Sequence, residues 1–116
     1  QYQNLELALR LLEEGLDIHR RVEPKDVIMR CKILNSAGEC ACVRGDFCDE
    51  PQIAQRWYRK AVELHEEAYE LYLKVLGPTK PLTGWCMEDL AGALRRCGQQ
   101  ERAKPLLLGA FKVECS

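Results

Sequence analysis

Apolar and small residues recur along this chain at helical spacing. Ala8, Leu12, Gly15 and Ile18 step by four, three and three residues, which lays all four on one stripe of a helix. The same steps recur at Ala54, Tyr58, Ala61 and Leu64, and again at Ala103, Leu107, Ala110 and Val113. The sets are offset by 46 residues (8 to 54) and then by 49 (54 to 103), and His19 and His65 hold the same place in the first two. A second kind of segment lies between them. Pro24, Ile33, Ala37, Gly38 and Cys40 match Pro78, Met87, Ala91, Gly92 and Leu94, each displaced by 54. Gly45 and Gly98 then stand where a helix needs a left-handed residue to end. The pattern predicts five helices, about 2–21, 25–44, 51–76, 80–97 and 100–114. No stretch alternates with period two, so the predicted class is all-α.

The small residues imply how the helices meet. Gly38, Gly92, Ala37 and Ala91 remove bulk where one helix approaches its partner, and Ala54, Ala61, Ala103 and Ala110 are the matching small positions opposite. Tyr58, Leu107 and Leu12 are expected to fill the spaces between successive pairs. An antiparallel pair on its own exposes an apolar face, which stacking on a neighbouring pair buries. The expected organisation is one repeat domain over residues 1–116 with about two and a half repeats. The first helix lacks an upstream partner and the chain starts at Gln1, so we expect a piece of a longer array.

Two irregularities break the repetition. Gly45 to Ala54 spans nine residues against five from Gly98 to Ala103, with Phe47 to Pro51 filling the difference. Ala61 to Pro78 spans 17 where Gly15 to Pro24 spans nine. Eight extra residues are about 12 Å of helix, and the segment Glu66 to Val75 is expected to project past the stack as a contact for a partner or a neighbouring domain.

Composition narrows the function. The chain has 116 residues, 47% hydrophobic, with 17 basic and 18 acidic side chains and a net charge of −1. That balance supplies no field for nucleic acid or an anionic membrane surface. No apolar run approaches the roughly 20 residues of a membrane helix. Seven cysteines are an odd number and fall at small-residue positions of helices, which reads as reduced thiols in the cytoplasm, with an oxidised scaffold as the alternative.

Leu76-Gly77-Pro78-Thr79-Lys80-Pro81, followed by Asp89-Leu90-Ala91, Gly98, Ala103 and Ala110, resembles the tetratricopeptide repeats of the kinesin light chain class. Those repeats read leucine-glycine-proline-x-x-proline, then asparagine-leucine-alanine, glycine and alanine. The resemblance covers essentially the whole chain and is most specific over 76–110. It implies a right-handed α-solenoid of antiparallel helix pairs whose first helices line a concave groove. By position, the groove residues would be Cys31, Leu34, Asn35, Gly38 and Ala41 in one repeat, with Trp85, Glu88, Asp89, Gly92, Arg95 and Arg96 in the next.

The residues expected to bind a partner are Leu34, Asn35, Trp85, Glu88, Asp89, Arg95 and Arg96. Trp85 offers a flat anchor of the kind that dominates hot spots, with packing between repeats as the plain alternative. Arg95 and Arg96, with Arg30 and Lys32 on the neighbouring helix, are suited to acidic side chains of a peptide; basic residues at a helix end also serve its dipole. Asn35 stands where kinesin light chains carry a groove asparagine, and Asp89 replaces it in the next repeat. Relatives that clamp a C-terminal carboxylate use a lysine and an asparagine at the Leu34/Glu88 and Gly38/Gly92 positions, and neither is present.

Other signals carry less. Cys40 and Cys42 point about 200° apart on a helix, which argues against a shared metal ion, and Cys97 is the thiol expected to be most open. Arg44-Gly45-Asp46 falls at a predicted helix end, where glycine explains itself. The sequence contains no phosphate loop, catalytic triad or metal-helix motif, so no catalysis, cofactor, metal or small-molecule substrate is expected. The leading expectation is a module that holds a peptide or helical segment of a protein partner. A structural subunit of a large assembly and a regulatory domain of a larger enzyme are the alternatives.

Overall fold

The computed structural model describes residues 2–22 and 26–115. Among them lie five helices and no strand: α1 (Tyr2–Val22), α2 (Val27–Asp46), α3 (Pro51–Leu76), α4 (Pro81–Arg96) and α5 (Gln100–Cys115). The predicted boundaries agree to within two residues. Pro24 and the predicted start of the second helix at 25 lie outside the described residues.

The chain marks most of these ends with local chemistry. The Asp26 carboxylate accepts from the Met29 backbone N–H at 3.0 Å and caps α2. Proline opens α3 and α4, where its missing N–H costs no helical bond. Gly77 (φ 85°) and Gly98 (φ 78°) close α3 and α4 in the left-handed region. Gly45 does not behave as expected. It lies inside α2, its φ is not positive, and a Cβ there would stand 2.6 Å from the Tyr58 ring and 3.2 Å from Trp57 Cβ. It is a packing glycine: it lets α3 press Trp57 and Tyr58 against α2.

Each helix packs on the next in sequence, and α2 also touches α4 directly. On the other side α1, α3 and α5 make no comparably close backbone approach among the described residues, and the ion pairs Arg20–Glu67, Lys60–Glu13 (2.9 Å) and Arg102–Glu66 (2.6 Å) span the gaps. Helices that touch on one side and fan apart on the other curve the stack. The α2–α4 side is therefore its concave face.

Two apolar clusters fill the interior. One gathers Ala37, Ala41, Ala61, Leu90, Ala91, Leu94 and Ala103, and the other Leu16, Cys31, Leu34, Ala68, Tyr72 and Cys86. The abundance of alanine is what lets the helix axes come close. Ala68 and Tyr72 belong to the segment expected to project beyond the stack, and both are buried. The extension is thus a packing element, and Leu76 and Leu82 continue its apolar contact toward α4. Leu107, expected to fill a space between pairs, is exposed on α5.

Candidate partner-binding groove

The burial pattern fixes how the two concave helices correspond. A displacement of 53 lays Cys31, Leu34, Ala37, Gly38 and Ala41 on Gly84, Met87, Leu90, Ala91 and Leu94, all of them buried. The displacement of 54 expected from sequence lays them on Trp85, Glu88, Ala91, Gly92 and Arg95, of which Ala91 alone is buried. The correct equivalents are therefore Asn35 with Glu88, Ser36 with Asp89, and Glu39 with Gly92. One residue turns a helix face by 100°, so the sequence alignment compared the core face of α2 with the open face of α4.

Leu34 is the casualty of that slip. It is 0% exposed, packed in the cluster with Leu16, Ala68 and Tyr72, and it cannot line a groove. Cys31, Gly38 and Ala41 are buried with it. Trp85 stands at the opposite extreme, 54% exposed on α4. Glu88 and Arg95 are exposed along the same helix, at the positions equivalent to Asn35 and Cys42 in α2.

Asn35 and Asp89 do meet. The Asn35 amide nitrogen donates to the Asp89 carboxylate at 2.7 Å, and the Asn35 side-chain oxygen lies 2.6 Å from His65 Nδ1. The carboxylate can only accept, so Asn35 must turn its NH₂ toward Asp89, and its oxygen takes the proton of His65 Nδ1–H. His65 is 1% exposed and lies beneath Gly38 as the floor of the α2–α4 junction. Burial pushes its pKa down to about 4, with Asp89 opposing the shift, so the ring is neutral at physiological pH. The sequence marked His65 only through its 46-residue spacing from His19.

Arg96 is committed within the molecule. Its Nε and Nη2 grip Asp46 at 2.8 and 3.0 Å, and its Nη1 donates to the Gly92 carbonyl at 3.2 Å. Tyr58 O–H donates to the same Asp46 carboxylate at 2.7 Å, and the guanidinium lies 6.0 Å from the centre of the Tyr58 ring. Hydrogen bonding from Arg96 holds the Asp46 carboxyl below its ordinary range. The expected role of Arg96 as a receptor for acidic peptide side chains is replaced by a latch between α2 and α4. Arg44 is likewise engaged, with Glu6 at 3.3 Å and over Trp57, so the Arg44-Gly45-Asp46 triplet is structural throughout.

Between α2 and α4 these residues enclose a cleft of about 280 Å³, lined by Glu39, Cys42, Val43, Asp46, His65, Glu88, Asp89, Gly92 and Arg96. Gly92 opens the α4 side, since a Cβ there would meet only Arg96 Nη1 at 3.4 Å. Glu39 is exposed as a residue, yet its carboxyl reaches into the cleft. Partial burial raises its pKa first, and the neighbouring Asp89 carboxylate raises it further. Burial likewise pushes the Cys42 thiol up to about 11 and raises that of Cys97, which is only partly exposed. Among the described residues no group of three histidine, cysteine or acidic side chains is placed to hold a metal ion.

A curved stack of antiparallel helix pairs with a polar cleft between its inner helices defines a helical-repeat interaction protein. Residues 52–112 match the profile of the tetratricopeptide repeat, which covers more than half of the chain, and the chain belongs to that family. Repeats of this family are in general non-catalytic modules that bind proteins. A search of characterised proteins returned no match. Among the described residues no helix is long and apolar enough to cross a membrane.

Proposed function

We propose that the chain captures a segment of a partner protein, peptide or helix, in the cleft between α2 and α4. The observation that carries this reading is a concave, polar-lined cleft together with a half-exposed tryptophan, Trp85, about one helical turn before the cleft residue Glu88 on α4. Cores of recognition surfaces combine such an aromatic anchor with a few fixed polar groups. Asn35 and Asp89 are candidate contacts held rigid by each other, with Glu88 and Arg95 at the rim. The Leu76–Pro81 motif supports placing the repeats in the kinesin light chain-like class, with α1 as the second helix of a pair that precedes α2–α3. Six unpaired cysteines among the described residues support a reducing, cytoplasmic setting.

The test is a partner isolated on the intact domain and re-bound to two variants. Trp85→Ala with Arg95→Glu should abolish binding while helical circular dichroism is unchanged, and Leu108→Ser with Phe111→Ser on α5 should not. The opposite pattern would overturn the groove reading. It would favour a subunit role in a larger assembly, for which the exposed Leu7, Leu11 and Ile18 on α1 and Leu108 and Phe111 on α5 speak.

A further inference from the structure

The hydrogen-bond polarity of the cleft selects the chemistry of what can enter it. Asp89 fixes the orientation of Asn35, and Asn35 fixes the tautomer of His65, so the proton sits on Nδ1 and Nε2 carries a lone pair. His65 lines the cleft, is all but fully buried, and makes no hydrogen bond through Nε2. Beside it the Glu39 and Asp89 carboxyls lie within hydrogen-bond reach of each other. Among the described residues the one cation lining the cleft is Arg96, and its Nε, Nη1 and Nη2 are all engaged, two by Asp46 and one by the Gly92 carbonyl. Lys32, on α2, lies seven residues before Glu39, roughly two helical turns away, and does not line the cleft.

The cleft therefore offers acceptors on three sides: an imidazole nitrogen on the floor and a carboxyl from each inner helix. The imidazole Nε2 has no donor among the described residues, and two adjacent carboxyls repel. A guanidinium or ammonium group relieves both at once.

Resting on the groove reading above, we propose that the α2–α4 cleft seats a basic side chain, arginine or lysine, of the captured partner segment, held by Glu39, Asp89 and His65 Nε2. Acidic partner residues, which the arginines of α4 suggested from sequence, are excluded from this position because Arg96 is already neutralised. Trp85, on the same face of α4, is free to pack on the flanking residues of the segment.

The experiment titrates the folded domain with four capped heptapeptides, alike except for a central arginine, lysine, citrulline or glutamate. Binding is followed at about 0.15 M ionic strength by backbone and imidazole NMR shifts. The arginine and lysine peptides should move the signals of Asn35, Glu39, His65 and Gly92 and bind at least tenfold more tightly than the citrulline and glutamate peptides. Glu39→Gln, whose side chain is exposed and whose fold is checked by circular dichroism, should weaken the basic peptides about tenfold and leave the neutral one unchanged. Equal shifts of these signals by all four peptides would overturn the charge preference and leave the groove reading standing. Shifts confined to α1 or α5 would overturn both.

Discussion

Gly38 and Gly92 look alike in the sequence, yet the structure assigns them opposite responses to the same substitution. A Cβ at Gly38 would stand 2.6 Å from His65 Cε1 and Nε2 and 2.8 Å from Nδ1. Ordinary contact is about 3.5–4.0 Å, so the overlap is close to 1 Å against three ring atoms together. The ring has little room to retreat, because Asn35 holds its Nδ1 and the buried Cys86 thiol contacts the His65 carbonyl behind it. Relief must come from α2 and α3 moving apart. Overpacking of this kind costs about 1–3 kcal/mol, and replacing a mid-helix glycine by alanine returns about 1 kcal/mol. We expect Gly38→Ala to be destabilised by up to about 2 kcal/mol, and Gly92→Ala, with only Arg96 Nη1 at 3.4 Å, to be stabilised by about 0.5–1 kcal/mol.

Urea unfolding followed by helical circular dichroism at constant m-value measures both changes. His65→Ala identifies the cause. Alone it opens a cavity and strands the Asn35 oxygen, but in the Gly38→Ala background the new methyl group occupies part of the vacated space. The cycle should then show coupling of at least about 1 kcal/mol in the compensating direction. Gly38→Ala unfolding at or above the wild-type midpoint, or Gly92→Ala losing as much as Gly38→Ala, would refute the placement of His65 beneath α2.

Acid should loosen the fold before the carboxylates of the core surface are titrated. His65 has a pKa of about 4 when folded and 6.5 when free, so the unfolded state binds more protons between those values and stability falls as pH drops through them. The loss approaches about 3 kcal/mol at pH 4 and below, offset in part by Glu39, whose raised pKa favours protonation in the fold; urea midpoints that are flat from pH 7 to 4.5 would contradict it. At the alkaline end burial raises the thiols of Cys31 and Cys42 to about 11 and that of Cys86 to about 12. Their contribution is intact below pH 9 and is lost as pH rises through the folded values, so thermal midpoints should fall steadily above pH 9, and Cys86→Ala should flatten that fall. Arg96→Ala should cost only about 1 kcal/mol, since the Asp46 pair is two-fifths exposed and screened by solvent; hydrogen exchange should nevertheless quicken at the end of α4, and a change confined to α1 would argue against the latch.

Much of this architecture was legible in the residues. Five helices, their order and nearly all of their ends followed from the repeated apolar and small-residue spacing, with Gly98 marking the end of α4. Gly45 misled because a glycine near a helix end has two uses, a left-handed turn or a close approach, and only the positions of Trp57 and Tyr58 distinguish them. The extension of α3 misled for a related reason: a length difference does not reveal whether the added turns find partners, and Tyr72 and Ala68 find theirs across α2 and α4. Trp85, Glu88, Asp89 and Arg95 do lie on the open face or its edge of α4, whereas Leu34 does not on α2. The sequence supports two alignments of the small residues one position apart, and matching Ala37-Gly38 to Ala91-Gly92 chose the wrong one. The paired glycines Gly45 and Gly98, 53 residues apart, carried the better register all along.

The charge around the groove also depends on pairings that local pattern does not reveal. Two adjacent arginines at the end of α4 suggest a basic surface so long as their partners are unknown. Arg96 and Asp46 stand 50 residues apart in sequence, and nothing in local pattern joins them. Once they are joined, the positive charge closest to the cleft is cancelled, while Glu39 and Asp89 face each other without a cation of their own. The groove's spacing is held by polar cross-links, Asn35 to Asp89 in the middle and Asp46 to Arg96 at the end. A partner group that strengthens the central link should therefore draw the two inner helices together, whereas one that competes for Asp46 should release Arg96 and open the cleft at its end. The basic-side-chain proposal and the latch are thus physically coupled: a cation bound at Glu39 and Asp89 would tighten the junction that Arg96 closes at its end.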